Sequence, residues 1–229
     1  MKIKENIAEI KDQISSTCSK VGRNPDDITL IAVSKTRSIE EINEALEAGC
    51  IHFGENKAQE LRDKSPLIKE SLNWHFIGHL QTNKVKYVIE PAALIHSVDS
   101  LKIINEIEKR AEAIEKVQKI LLEIKTSDEE SKFGLSDEKE IFNLADYCKS
   151  SSNIKLAGLM TMAPFVDDEK IIRNSFKKLK NLFDKMNNEG YELTELSMGM
   201  SSDFEIAIEE GSTLIRIGTS IFGEREIKK

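Results

Sequence analysis

Eight short apolar runs, each followed by an amphipathic stretch, constrain this chain more than any other feature. The runs are Ile28 to Ser34, Cys50 to Gly54, Trp74 to Gly78, Leu94 to Val98, Lys119 to Ile124, Leu156 to Met162, Glu195 to Gly199 and Leu214 to Gly218. Short, apolar and in part β-branched, they read as buried strands. Between them Ile39, Ile42, Ala45 and Leu46 recur at helical spacing, as do Leu101, Ile104, Ile107, Ala111 and Ile114. The same spacing links Ile141, Leu144, Ala145 and Cys148, and again Ile172, Phe176, Leu179, Leu182 and Phe183. Ser38, Ser136 and Ser202-Asp203 stand where N-caps of such helices belong.

Strand and helix alternating along a whole chain imply parallel strands, and eight such units close naturally into an α/β fold of the (β/α)8 TIM-barrel kind. Periodicity alone leaves an open, doubly wound sheet as the alternative. Ile3 to Val21 adds an amphipathic N-terminal helix, expected to cover the bottom or side of the barrel. Only four prolines occur and no Ser/Gly-rich linker divides the chain, so residues 1–229 read as a single domain.

The net charge of −7 argues against a general nucleic-acid binder. No apolar run approaches the roughly 20 residues that span a membrane, and the N-terminus has no signal-peptide core. Cys18, Cys50 and Cys148 are odd in number and form no CxxC pair, so they read as reduced thiols of a cytoplasmic protein. His52, His75, His79 and His96 have no cysteine cluster to match them, which argues against zinc.

Ligands of a barrel bind at the C-terminal ends of its strands. Lys35 ends the first run, at the edge of the core, where desolvation disfavours its ammonium form. A neutral amine there can form a Schiff base with an aldehyde or ketone; the plainer reading is a lysine that ends a strand in solvent. The second tip carries Glu55-Asn56, the fourth Asp99. Ser197-Met198-Gly199-Met200-Ser201 and Arg216-Ile217-Gly218-Thr219 have the small residues, hydroxyls and free N–H groups of anion-binding turns, though turn and cap residues look alike. With Lys35 they point to a phosphorylated aldehyde. Arg216 on the last strand stays protonated and needs a ligand or a carboxylate, for which Glu55 and Asp99 are the sequence candidates.

The chain resembles the pyridoxal-phosphate homeostasis proteins, also called the proline-synthetase co-transcribed family. The resemblance spans almost the whole chain and rests on Ala32-Val33-Ser34-Lys35-Thr36, Phe53-Gly54-Glu55-Asn56, Trp74-His75-Phe76-Ile77-Gly78, Leu156 to Met162, Leu196 to Ser202 and Arg216 to Gly223, in that order. It implies a barrel like the N-terminal domain of bacterial alanine racemase, with Lys35 in a Schiff base to pyridoxal 5′-phosphate (PLP). It further implies Asn56 near the ring, Ser201, Gly218 and Thr219 on the phosphate with the Met200 N–H assisting, and Arg216 at the pyridine nitrogen. Lys132 matches a basic position near the site. Arg37 replaces a common lysine, His79 a common proline, and Phe133 a small residue.

The resemblance, taken with these residues, implies a PLP carrier acting in intracellular PLP homeostasis rather than an efficient enzyme. A racemase needs a second base opposite the lysine, supplied in alanine racemase by a tyrosine of a separate β-domain. The sequence runs only a few residues past the eighth run, so that domain is expected to be missing. Tyr87, Tyr147 and Tyr191 fall in or beside helical stretches. An arginine at the ring nitrogen weakens the ring as an electron sink. Two alternatives stay open: a weak PLP-dependent amino-acid racemase, and a Schiff-base aldolase acting on a phosphorylated sugar. The expected partners are PLP and PLP-dependent apo-enzymes, and the expected state is a monomer.

Overall fold

The computed structural model describes residues 2–68, 72–127 and 133–224. Its strands are β1 (Thr29–Val33), β2 (His52–Glu55), β3 (Asn73–Phe76), β4 (Ala92–Val98), β5 (Gln118–Glu123), β6 (Ile154–Met160), β7 (Glu195–Ser197) and β8 (Leu214–Ile217). Each pairs in parallel with the next, and β8 closes on β1 through Ile31 opposite Arg216 and Ala32 opposite Ile217. The barrel is therefore closed, and the open-sheet alternative falls away.

The helices are α1 (Lys2–Val21), α2 (Ile39–Glu47), α3 (Ala58–Lys64), α4 (Val85–Val88), α5 (Leu101–Glu112), α6 (Glu138–Ser150), α7 (Glu169–Asn188), α8 (Phe204–Glu209) and α9 (Thr219–Phe222). Ser38 and Glu41 form a reciprocal capping box on α2. The cap of α6 is Asp137, one residue beyond the expected Ser136. α5 ends before Ile114, which is exposed, and Glu115 turns the chain with a positive φ of 53°. α1 packs against α2, α8 and α9, so it covers the flank outside β1 and β8. Asn6 donates to the Ile221 carbonyl, and Arg23 to those of Ile208 and Ser212, pinning that flank.

Two apolar layers define which way each strand residue faces. The larger lies between barrel and helices and takes Ala32, Phe53, Trp74, Phe76, Ile95, Leu122, Leu196, Ile215 and Ile217. The smaller fills the barrel with Ile31, Leu94, Leu121, Ala157, Met160 and Leu214. Alternation along each strand then turns Val33, Gly54, His75, His96, Glu123, Ser197 and Arg216 inward. Cys18, Cys50 and Cys148 are buried free thiols. Among the described residues no helix is long and apolar enough to cross a membrane.

Candidate functional site

Lys35 lies half-buried at the tip of β1, two residues beyond inward-facing Val33. The turn that presents it is held from behind the sheet. Glu55 faces outward on β2, fully buried, and accepts from the Ser34 hydroxyl at 2.7 Å. Lys64, at the end of α3, donates to Glu55 Oε1 at 2.8 Å, to Glu60 Oε2 at 3.1 Å and to the Ser34 carbonyl at 2.9 Å. Glu60 Oε2 in turn accepts from the Thr36 N–H at 2.7 Å. The backbone is thus gripped on both sides of Lys35. Thr36 sits at φ 65°, a left-handed conformation that costs a β-branched residue on the order of 1–3 kcal/mol. The Glu60 contact accompanies that strained geometry. Burial pushes the Glu55 carboxyl up, against the pull of Lys64 and Ser34. Glu60 is also penalised by burial, but the Thr36 N–H and Lys64 bring it below the ordinary range.

Asn56 follows β2 on the neighbouring tip. Its backbone lies against Gly78, where a Cβ would fall 2.2 Å from the Asn56 carbonyl oxygen, so only glycine fits. Val33 pairs with Gly54, which keeps Lys35 and Asn56 on one rim.

Across the β1–β8 seam, the Ser201 hydroxyl accepts from the N–H groups of Gly218 at 3.3 Å and Ser220 at 3.4 Å. Ser201, Gly218 and Thr219 are therefore brought together as one turn system, with Thr219 exposed on the rim. Gly218 has φ −113°, and a Cβ there would meet Val33 no closer than 3.5 Å. The fold does not demand glycine at this position; the bare Cα leaves the mouth open beside the strand that ends in Lys35. Gly199 differs. At φ 96° a Cβ would come within 2.6 Å of the Ala207 Cβ, so this glycine serves the packing of α8. The Met200 N–H is already given to Asp203 Oδ1 at 2.6 Å, so Met200 enters this rim with its donor engaged.

Arg216 is 5% exposed. Nη1 donates to Ser197 Oγ at 2.5 Å and Nη2 to the Thr161 carbonyl at 2.9 Å. Burial lowers its pKa to about 10, with Asp203 and Glu123 opposing, so it stays charged at neutral pH. Its carboxylate neighbours are thus Asp203 and Glu123 rather than Glu55, which is committed to Lys64. Glu123, inward on β5 and 3% exposed, is a site residue that sequence reading missed. Burial, then Asp99, raise it to about 7 while Arg216 pulls the other way.

Two departures from the family pattern touch each other: the His79 ring stacks on Phe133 with centroids 3.8 Å apart, and His79 Nδ1 is 3.6 Å from Asp99 Oδ2. Arg37 bridges Glu41 and the Gly223 carbonyl, tying the loop after Lys35 to the end of α9. Lys132 lies outside the described residues. None of the three tyrosines reaches the mouth: Tyr147 bonds Glu108, Tyr191 bonds Asp146, and Tyr87 lies on α4 under Arg62. An amine, a rim of N–H and hydroxyl donors and a buried cation suit an aromatic aldehyde that carries a phosphate.

Comparison with known proteins converges on the same chemistry. The family model of the alanine racemase N-terminal domain matches residues 2–226. A pyridoxal phosphate homeostasis protein of Aquifex aeolicus is 42% identical over 226 residues, which is 97% of this chain and 98% of the relative. The protein of the same name in Escherichia coli K12 is 38% identical over 238 residues, covering 99% and 98%. PipY of Synechococcus elongatus, solved with PLP bound, superimposes with a TM-score of 0.81 at 32% identity over 92% of this chain and all (100%) of that one. An alanine racemase of Clostridium difficile matches in fold, with a TM-score of 0.78 at 15% identity; the match covers 99% of this chain and 58% of the racemase.

Proposed function

The chain belongs to the alanine racemase N-terminal-domain family and, within it, to the pyridoxal phosphate homeostasis proteins, and from that membership we propose that it binds PLP at the barrel mouth and serves its intracellular homeostasis. PLP supplies an aldehyde for a lysine amine and an electron-accepting ring. Lys35 supplies the amine. Ser201, Gly218 and Thr219 hold the phosphate, Met200 lines the same turn, Asn56 lines the ring, and Arg216 faces the ring nitrogen. The observation that carries this reading is the convergence of a gripped lysine, a rim with no side chain at Gly218 and a buried arginine on one end of the barrel. Among the described residues, two of the five Arg216 N–H donors are spent, on Ser197 and Thr161, which leaves donors for the ring.

The reading is of a carrier. Arg216 is charged at neutral pH and has no proton acceptor, so it keeps the ring nitrogen unprotonated. Tyr87 and Tyr147 are on outer helices and Tyr191 follows α7, bonded to Asp146, so none of the three supplies a phenolic base opposite Lys35. The buried reduced thiols support a cytoplasmic setting, and we take the protein to act as a monomer that hands PLP to apo-enzymes.

Borohydride reduction of the PLP-loaded protein followed by peptide mass mapping tests the assignment. The phosphopyridoxyl group is expected on Lys35, and Lys35→Ala is expected to lose the visible absorption band. A label on another lysine overturns the assignment. Deuterium exchange at the α-carbon of alanine in D2O tests the carrier reading: exchange near 10 per second, a typical enzyme rate, overturns it.

A further inference from the structure

Three histidines thread the barrel interior behind Arg216. His52 Nδ1 is 3.0 Å from His75 Nε2, His75 Nδ1 is 2.9 Å from His96 Nε2, and His96 Nδ1 is 2.9 Å from Ser197 Oγ. Ser197 Oγ also receives Arg216 Nη1 at 2.5 Å. The chain runs from half-buried His52, at the start of β2, through β3, β4 and β7 to β8.

Its direction follows from counting donors. A guanidinium has no acceptor, so Ser197 must accept from Arg216. Ser197 Oγ has no third partner among the described residues, so its one hydroxyl hydrogen finds an acceptor only at His96 Nδ1. That makes His96 the Nε2–H tautomer, which donates to His75 Nδ1. His75 is then also the Nε2–H tautomer and donates to His52 Nδ1, which leaves the Nε2–H of His52 on the outer end. Neutral rings make all four bonds in this direction; the reverse, with each Nδ1 protonated and Ser197 accepting twice, also makes four but leaves the Ser197 hydrogen without an acceptor. With the chain running in this direction, a protonated His75 or His96 would set two donors face to face.

We propose that His75, His96 and Ser197 are positioning residues for Arg216, a one-way hydrogen-bonded chain that fixes the guanidinium where it meets the ring nitrogen of PLP. This rests on the PLP reading above. Burial supports it by lowering His75 to about 3, with His52 contributing, and by holding His96 well below its ordinary value, with His75 and Arg216 contributing. Both rings are therefore neutral at physiological pH, as the donor count requires. Arginine needs such a support because Nη2 alone, on the Thr161 carbonyl, leaves the plane free to turn about that contact.

Nitrogen-15 NMR of the histidine side chains in the PLP-free protein at neutral pH tests the chain directly. His52, His75 and His96 are expected as Nε2–H tautomers with Nδ1 unprotonated. An Nδ1–H tautomer or an imidazolium at His75 or His96 overturns the proposal. In the loaded protein, His96→Met removes the acceptor for Ser197, whereas His96→Gln can both accept and donate. The Met variant is expected to change the visible spectrum and weaken PLP binding about tenfold, the scale of one charge-assisted hydrogen bond, and Gln to restore the wild-type spectrum. If His96→Met does not fold, Ser197→Ala gives the same readout by removing the link itself. Wild-type spectrum and affinity in His96→Met, or in Ser197→Ala where that variant is used, overturn the positioning role. Failure of wild-type protein to take up PLP would instead overturn the PLP reading, with the tautomers still measurable.

Discussion

The two sides of the barrel mouth are held by different physics. On the β1–β2 side the Lys35 turn is strained at Thr36 and is anchored by two carboxylates and one ammonium, the buried Glu55 with the half-buried Glu60 and Lys64. On the β7–β8 side the turns rest on backbone N–H groups, one serine hydroxyl and small residues, with Ser201 between Gly218 and Ser220. The first side concentrates its support in few groups of low exposure, so removing one leaves an uncompensated charge. The second spreads its support over weak donors that water can replace, so losses there are graded. A covalent attachment point calls for rigid placement; a phosphate, gripped from several directions, tolerates adjustment.

The largest effect is expected at Lys64. Lys64→Met leaves the fully buried Glu55 without its cation and removes the ammonium that Glu60 shares with the Thr36 N–H. Breaking a buried pair by removing one partner costs about 3–5 kcal/mol, to be read from denaturant midpoints at pH 8. The deficit is expected to shrink as the pH falls and the carboxylates of the cluster take up protons. Glu55→Gln combined with Lys64→Met should recover most of the loss, because the amide still accepts from Ser34 and carries no charge. A deficit under about 1 kcal/mol, the scale of an exposed ion pair, would erase the contrast between the two sides.

The next effect concerns Glu123, whose pKa rises from 4.5 to about 7 on folding. Below 4.5 both states are protonated and the group contributes nothing. Between 4.5 and 7 the folded chain holds a proton that the unfolded chain has lost, so stability falls as the pH rises. Above 7 the penalty is complete, about 3 kcal/mol at most. Glu123→Gln should therefore stabilise the protein above pH 7 by up to that amount and lose the advantage toward pH 4.5. A stability difference independent of pH would show that the carboxyl is not the group under strain.

The residues behind these predictions differ in how far sequence reveals them. All eight strands are legible, because β-branched apolar runs of that length have few other folded uses. Lys35, Asn56 and the β7–β8 turns are legible as strand tips. Which way a residue faces is not, since barrel strands are buried on both sides and lack the polar–apolar alternation that marks one face. Hence Trp74-His75-Phe76 hides that His75 alone turns inward, and Glu123 passes as the end of a strand. His52, His75 and His96 come from three different strands, and their contact depends on closure of the barrel. Likewise Glu60 and Lys64 look like an ordinary helical i,i+4 pair, and their reach to the Lys35 turn depends on how α3 packs against β2. Glu55 could have been placed by parity, because Phe53 two residues earlier is large, apolar and faces the helices.

The smallest effect is expected on the rim. Ser201→Ala with Thr219→Ala removes two hydroxyls but leaves the N–H groups of Gly218 and Ser220 in place, and water or phosphate can satisfy these. Hydrogen bonds to a charged partner contribute on the order of 1.5–3 kcal/mol each, and solvent exposure of Thr219 puts this pair at the lower end. PLP affinity, measured by equilibrium dialysis, should therefore fall by about tenfold or more. Pyridoxal lacks the phosphate, so its affinity for the double variant should match its affinity for the wild type. Equal losses for both ligands would place the damage in the fold of the turn rather than in phosphate recognition. An unchanged PLP affinity would move the phosphate away from the β7–β8 turns and leave only the Lys35 side of the comparison standing.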